Sequence, residues 1–126
     1  MFSFNKKFIS RSNKGYVFIE SKLYHLSELG NFLVGFNGAA TRHTLNEIKQ
    51  MGLDVEIIIK GRSILEAKIN EKEDQIFYEA GFKCFNEILE NGEVSGYIIY
   101  KSMIKQLLWS RKNLQKDNYV YNVIGE

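Results

Sequence analysis

The chain has 126 residues, a length typical of one domain, and 44% of its residues are hydrophobic while 25% are charged, which excludes a largely disordered chain. Even its longest apolar runs, such as Ile57 to Ile59, are far shorter than a membrane span, so the sequence excludes one. Its one cysteine, Cys84, excludes an internal disulfide. The net charge of +2 excludes neither a protein nor a nucleic-acid partner. We expect a single domain over 1–126 in a cytoplasmic protein, since the first residues do not resemble a secretory signal.

Three elements are predicted in the first part of the chain. Gly15 to Glu20 is rich in β-branched and aromatic residues, which predicts a strand. The leucines that follow have helical spacing, which predicts a helix with Ser21 as its N-cap and Gly35 as its end. A shorter helix is predicted between Thr41, as N-cap, and Gly52, as the glycine that ends it.

The middle of the chain predicts a β-hairpin. Leu53 to Lys60 alternate largely between apolar and polar residues, which is the period of a half-buried strand. Gly61 and Arg62 supply the glycine-first pair of a type II′ turn, and Ser63 to Ile69 can return as the second strand. We expect this hairpin at the centre of the sheet.

Two helices and a closing strand are predicted after the hairpin. Residues 73–90 and 97–116 have helical periodicity, and Tyr119 to Ile124 has the composition of a strand. The element order predicts an α+β domain with a mainly antiparallel sheet, a central β-hairpin and about four helices. In the helix predicted at 73–90, the residues that we expect to be nearly inaccessible to solvent are Phe77, Cys84, Phe85 and Ile88.

A basic face is predicted on the last helix. At about 100° per residue, four lysines share one narrow arc with a tryptophan beside it, next to the apolar arc that docks on the core. Basic residues with an aromatic neighbour suit phosphates and bases, and they also suit protein interfaces. The residues of this face are Lys101, Lys105, Trp109, Lys112 and Lys116.

Acidic residues are concentrated in the middle of the chain. Residues 53–93 carry ten acidic and five basic side chains, whereas 1–52 carry three and seven and 94–126 carry two and five. Such segregation steers association with charged partners, so the acidic part predicts an interface for a basic partner. The residues predicted for that interface are Asp54, Glu56, Glu66 and Glu71.

Few residues offer catalytic chemistry. His25 and His43 could serve as acid and base of a metal-independent ribonuclease, because imidazoles titrate near neutrality. His43 falls on the polar side of its helix, where a solvent-facing histidine is the ordinary outcome. Cys84 lies on an apolar arc and is interpreted as a core residue rather than a nucleophile. The histidines and cysteine lack the spacing of metal ligands, and we expect no metal or cofactor.

This profile predicts a non-enzymatic protein that binds and inhibits another protein. A bacterial immunity protein that neutralises a cognate toxin, such as a basic nuclease domain, is the most concrete form. One alternative is a small nucleic-acid-binding or nuclease-like protein that uses the basic faces together with His25 or His43. Another alternative is a phage accessory protein that binds a host factor. No membrane partner is expected.

Overall fold

The computed structural model describes residues 15–115. Strand β1 (Tyr16–Ile19) pairs antiparallel with β2 (Lys22–His25), and a two-residue turn joins them into a hairpin. The turn residues Glu20 and Ser21 both have positive φ, 52° and 65°, as a type I′ turn requires. The helices in this range are α1 (Leu26–Ala40), α2 (Leu45–Asp54), α3 (Ile64–Asn91) and α4 (Gly96–Gln115), with a π-helical turn (Val55–Ile59) between α2 and α3.

The hydrophobic core lies between α1, α3 and α4. Burial of Phe77, Cys84 and Ile88 is confirmed, whereas Phe85 is only half-buried and packs edge-to-face on Phe36 with ring centroids 5.4 Å apart. Phe85 is about 80° around the helix from Phe77, so it lies on the flank of the buried arc. The buried members of this core are Tyr24, Phe32, Phe77, Ala80, Cys84, Ile88, Leu107 and Leu114.

Two glycines bring the backbones of α1 and α3 into direct contact. A Cβ added at Gly35 would lie 1.9 Å from the carbonyl oxygen of Tyr78, and one added at Gly81 would lie 1.9 Å from that of Phe32. The prediction that Gly35 ends the first helix is therefore wrong, because α1 continues to Ala40. The glycine is needed for the crossing of two helices rather than for a helix end.

The predicted starts of the first two helices are also wrong. Ser21 lies in the β-turn, and α1 begins later with His25 as its N-cap. Helix α2 is capped by Thr44 rather than Thr41, and it runs through Gly52 to its end. The strand predicted at 15–20 and the helix predicted at 97–116 are confirmed, within one residue, by β1 and α4.

The central hairpin is wrong as well. Leu53 to Lys60 complete α2 and form the π-helical turn, and Ser63 to Ile69 cap and begin α3. The cause is a capping box: the Ser63 hydroxyl accepts from the Glu66 amide at 3.1 Å, and the Ser63 amide donates to the Glu66 carboxylate at 3.0 Å. This reciprocal pair satisfies two orphan amides and starts a helix where a strand was predicted.

The domain is therefore mostly helical. Helices take up 77% of the described residues, and the sheet within them is the single β1–β2 hairpin, so a mainly antiparallel sheet is not what this range contains. The closing strand predicted at Tyr119 to Ile124 lies outside the described residues. The expected number of helices, about four, is confirmed for residues 15–115.

Candidate binding surfaces

Glu56, one of the four acids predicted for an interface, is only 4% exposed. Its carboxylate pairs with the Lys60 ammonium and the Arg62 guanidinium, each at 2.8 Å. The hydrogen bond from Lys60 and the charge of both partners hold the pKa of Glu56 below its usual range. Glu56 therefore fastens the π-helical turn to the loop that follows it.

Glu71 is equally buried, at 4% exposure. Its carboxylate accepts a hydrogen bond of 2.9 Å from the Tyr78 hydroxyl. Gly52 of α2 comes so close that an added Cβ would lie 2.2 Å from the Glu71 carboxylate. Burial, and then the neighbouring charge of Glu71, raise the pKa of Asp74 to about 7. These groups form a packed polar contact between α2 and α3.

The other two predicted acids are accessible. Glu66 is exposed and caps α3 through Ser63, which lowers its pKa. Asp54 is half-buried and accepts a hydrogen bond of 2.9 Å from the Gln50 amide. Two of the four acids thus point inward, and an interface role for the set stays a prediction.

The two histidines lie at opposite ends of α1. His25 caps its N-terminus and accepts from the Ser27 amide at 3.1 Å, while the exposed His43 bonds the Thr41 hydroxyl at 2.9 Å beyond its C-terminus. A helix of 15 residues, at 1.5 Å per residue, separates them by roughly 20 Å. Burial lowers the pKa of His25. The structure does not bring them together around one scissile bond.

The lysine face of α4 is exposed as predicted. Lys101, Lys105 and Lys112 all face solvent, and Lys116 lies outside the described residues. Lys105 pairs with Glu87 of α3. Lys101 and Lys105 also line a cleft of about 590 Å³ between α3 and α4, where Glu87 and Glu90 are present as well. That cleft has mixed charge.

Trp109 is half-buried and packs against the core. The Lys83 ammonium of α3 lies over its ring, 3.4 Å from the centroid, in a cation–π contact. One face of the indole is therefore occupied within the molecule. Trp109 joins α3 to α4 and borders the basic face, but it is not an open stacking platform on both sides.

A second cleft, of about 630 Å³, lies between β2 and α4. Arg111 holds the two elements together, because its guanidinium donates to the Leu23 carbonyl and lies 5.1 Å from the centre of the Tyr24 ring. Of the six lining residues that the structure describes, four are cationic and two are apolar. They are Lys22, Lys105, Leu108, Trp109, Arg111 and Lys112.

The feature that sequence reasoning missed is an exposed aliphatic surface on residues 55–69, which we call the 55–69 segment. Ile58 and Ile59 are each 76% exposed. Three consecutive isoleucines in a helical turn point in different directions around its axis, so they cannot all face one core. In a helical interpretation, the run Ile57 to Ile59 would have indicated that some of these side chains are exposed. The large aliphatic residues exposed in this segment are Val55, Ile58, Ile59, Ile64, Leu65 and Ile69.

Comparison with protein-family models, with curated proteins and with solved structures finds no match to this chain. Among residues 15–115, none of the helices combines the length and the apolar character needed to cross a bilayer. The support for the candidate surfaces therefore comes from the geometry of this chain.

Proposed function

We propose that this is a non-enzymatic protein that binds another protein through the 55–69 segment. The observation that supports the proposal is the concentration of exposed aliphatic side chains there. Soluble proteins rarely expose large contiguous apolar surface unless it meets a partner. Ile58 and Ile59, as the most exposed members, are the expected centre of the contact.

The charges of the segment favour one kind of partner. Lys60, Arg62 and Lys68 are exposed beside the aliphatic side chains, and Glu66 is the exposed acid among them. Glu56 offsets part of this positive charge from inside the turn. An apolar partner surface with an acidic rim would be complementary, because rim charges steer association while the buried apolar centre supplies most of the affinity.

The energy available from such a contact is large enough for specific binding. Fully burying one isoleucine or leucine side chain contributes roughly 1.5–3 kcal/mol, and association must first offset lost translational and rotational freedom. Several exposed aliphatic residues acting together can exceed that cost. The polar rim then contributes specificity more than affinity.

The most concrete form of the proposal is a cytoplasmic immunity protein that neutralises a cognate bacterial toxin, with a phage protein that binds a host factor as the other form. The nuclease alternative is not favoured, since His25 and His43 lie at opposite ends of α1. Each histidine already makes a local hydrogen bond to a hydroxyl.

Site-specific photo-crosslinking tests the proposed surface. A benzoylphenylalanine at Ile58 should cross-link one defined protein in the cells that produce this chain. The same probe at Val94 is the matched control, since Val94 is 73% exposed and lies in the α3–α4 turn, away from the segment. Equal cross-linking from both positions, or none from Ile58, would contradict the proposal.

Growth protection tests the immunity form separately. If the neighbouring gene encodes a toxin, co-expression of this chain should restore growth. His25→Ala and His43→Ala should protect as well as the unchanged protein, whereas Ile58→Asp should not. Purified chain that cleaves RNA or DNA, with cleavage lost in a histidine variant, would overturn the non-enzymatic proposal.

A further inference from the structure

The cleft between β2 and α4 has the features of a binding site for carboxylate groups. We propose that this cleft holds a short acidic segment of a partner protein, with carboxylates on its lysines and one aliphatic side chain against Leu108 and Trp109. The site is separate from the 55–69 segment and does not depend on it.

The described lining of the cleft is positively charged. Among residues 15–115, six line the cleft; none of these is acidic, whereas four carry a positive charge. Within residues 15–115, no ion pair joins Lys22 or Lys112 to an acid, and Lys105 is paired with Glu87 at one border. Positive charge lining one cleft raises the local concentration of anions and favours their binding.

The two walls of the cleft are held together by Arg111. Arg111 is 3% exposed and is held by the Leu23 carbonyl and the Tyr24 ring, so it fixes β2 against α4 rather than meeting the ligand itself. A cleft whose two walls are already held together binds a ligand with a smaller entropic cost than one that must be ordered on binding. Lys22 and Lys112, from the two walls, are then the adaptable contacts.

The apolar residues decide between an acidic peptide and a nucleic acid. Leu108 is exposed, which suits an aliphatic side chain of a peptide. Single-stranded nucleic acid gains much of its affinity from bases stacked on open aromatic faces. Trp109 has one face covered by Lys83 and packs in part on the core, so it is a poor stacking platform. The observations therefore favour the peptide.

Trp109 also provides the readout, since it is the one tryptophan of the chain and lines the cleft. The full chain is titrated with a synthetic peptide of glutamates and aspartates around one leucine, and Trp109 fluorescence is followed at low and high salt. We expect a saturable change that weakens with salt. Lys22→Glu and Lys112→Glu should each weaken binding on the order of fivefold.

Lys72→Glu is the matched control, because it makes the same change of charge at an exposed helical lysine that lines neither the cleft nor the 55–69 segment. It should leave the affinity within about twofold. Equal weakening by all three variants, or no saturable fluorescence change, would overturn the proposal. An oligothymidylate of equal charge that binds more tightly through Lys22 and Lys112 would overturn it in favour of nucleic acid.

Discussion

The α1–α3–α4 bundle and the 55–69 segment are both rich in apolar residues, but they bury them to different degrees. In the bundle, Phe77 is 1% exposed and the backbones of α1 and α3 touch at Gly35 and Gly81. In the segment, Ile58 and Ile59 are mostly exposed. Apolar content alone therefore does not show where the core lies, because burial requires a partner surface at close range.

The difference also separates stability from binding. Side chains in the bundle are in contact with neighbours on several helices, so changing them should cost folding free energy. Ile58 and Ile59 are mostly exposed, so changing them should cost little folding free energy. Changing these side chains should instead affect the affinity for a partner.

Truncation of the core gives the largest expected effect. Phe77→Ala should lower the free energy of unfolding by roughly 3–5 kcal/mol, since it leaves a cavity in the bundle. Ile59→Ala should change it by less than about 0.5 kcal/mol. Denaturant titrations of both variants make the comparison, and similar losses would mean that the segment belongs to the core. Phe85→Ala should fall between them, because Phe85 is half-buried.

Adding one methyl group at the helix crossing should cost roughly 3 kcal/mol. Gly81→Ala places a Cβ against the Phe32 carbonyl, so α1 and α3 must move apart. Gly30→Ala is the control: it lies in α1 with nothing within 4 Å of its added Cβ. That change should stabilise the protein by up to about 1 kcal/mol. A neutral Gly81→Ala variant, seen by thermal or denaturant unfolding, would show that the helices are not in contact there.

Removing the cap of α3 should cost about 1 kcal/mol. Ser63→Ala leaves the Glu66 amide without its side-chain acceptor. If Ser63 to Ile69 were instead the second strand of the predicted hairpin, the same change would remove no cap. Far-ultraviolet circular dichroism of a peptide covering residues 60–80 should show less helix for Ser63→Ala, and an unchanged spectrum would count against the capping box.

The smallest change is expected in the pH dependence of stability, because Asp74 is partly exposed. Its folded pKa of about 7 lies above its ordinary value of 3.8, so between these values the folded state keeps a proton that the unfolded state has lost. Stability from this group is therefore present at low pH and is lost as pH rises towards 7. Asp74→Asn should flatten that decline.

Burial also raises the pKa of Glu28 to about 7. In the Asp74→Asn variant, Glu28 should therefore still make the free energy of unfolding fall as the pH rises. Comparing Asp74→Asn with the unchanged protein cancels contributions that the two share, including those of Glu28 and His25. Identical unfolding curves of the two proteins against pH, from about 4 to 7, would contradict the raised pKa of Asp74.

Sequence reasoning succeeded where periodicity was long and failed where it was short. The helices around Phe77 and Leu107 were predicted because several turns repeat the same apolar spacing. Leu53 to Lys60 is too short for its alternation to decide between a strand and a helical turn. Local capping signals would have decided it: Ser63 precedes Glu66 by three residues, as Thr44 precedes Glu47.

The candidate surfaces were predicted only in part. The exposed lysines of α4 followed from helical periodicity, since a docked helix leaves its polar arc to solvent. The burial of Glu56 and Glu71 did not follow, because it requires helical structure where the hairpin was predicted, and for Glu71 also the packing of Gly52 of α2 against α3. The cleft at Lys22 likewise requires β2 and α4 to meet, which no local pattern encodes.

The most direct test of the account is the affinity of the purified chain for the protein that cross-links at Ile58, measured by titration calorimetry. We expect Ile58→Asp to weaken binding by about 100-fold, because Ile58 lies at the centre of the proposed interface. Val94→Asp, at nearly equal exposure, should leave the affinity unchanged. Thermal unfolding of both variants should match that of the unchanged protein. An Ile58→Asp variant that folds and binds with undiminished affinity would contradict the claim that the 55–69 segment is the binding surface.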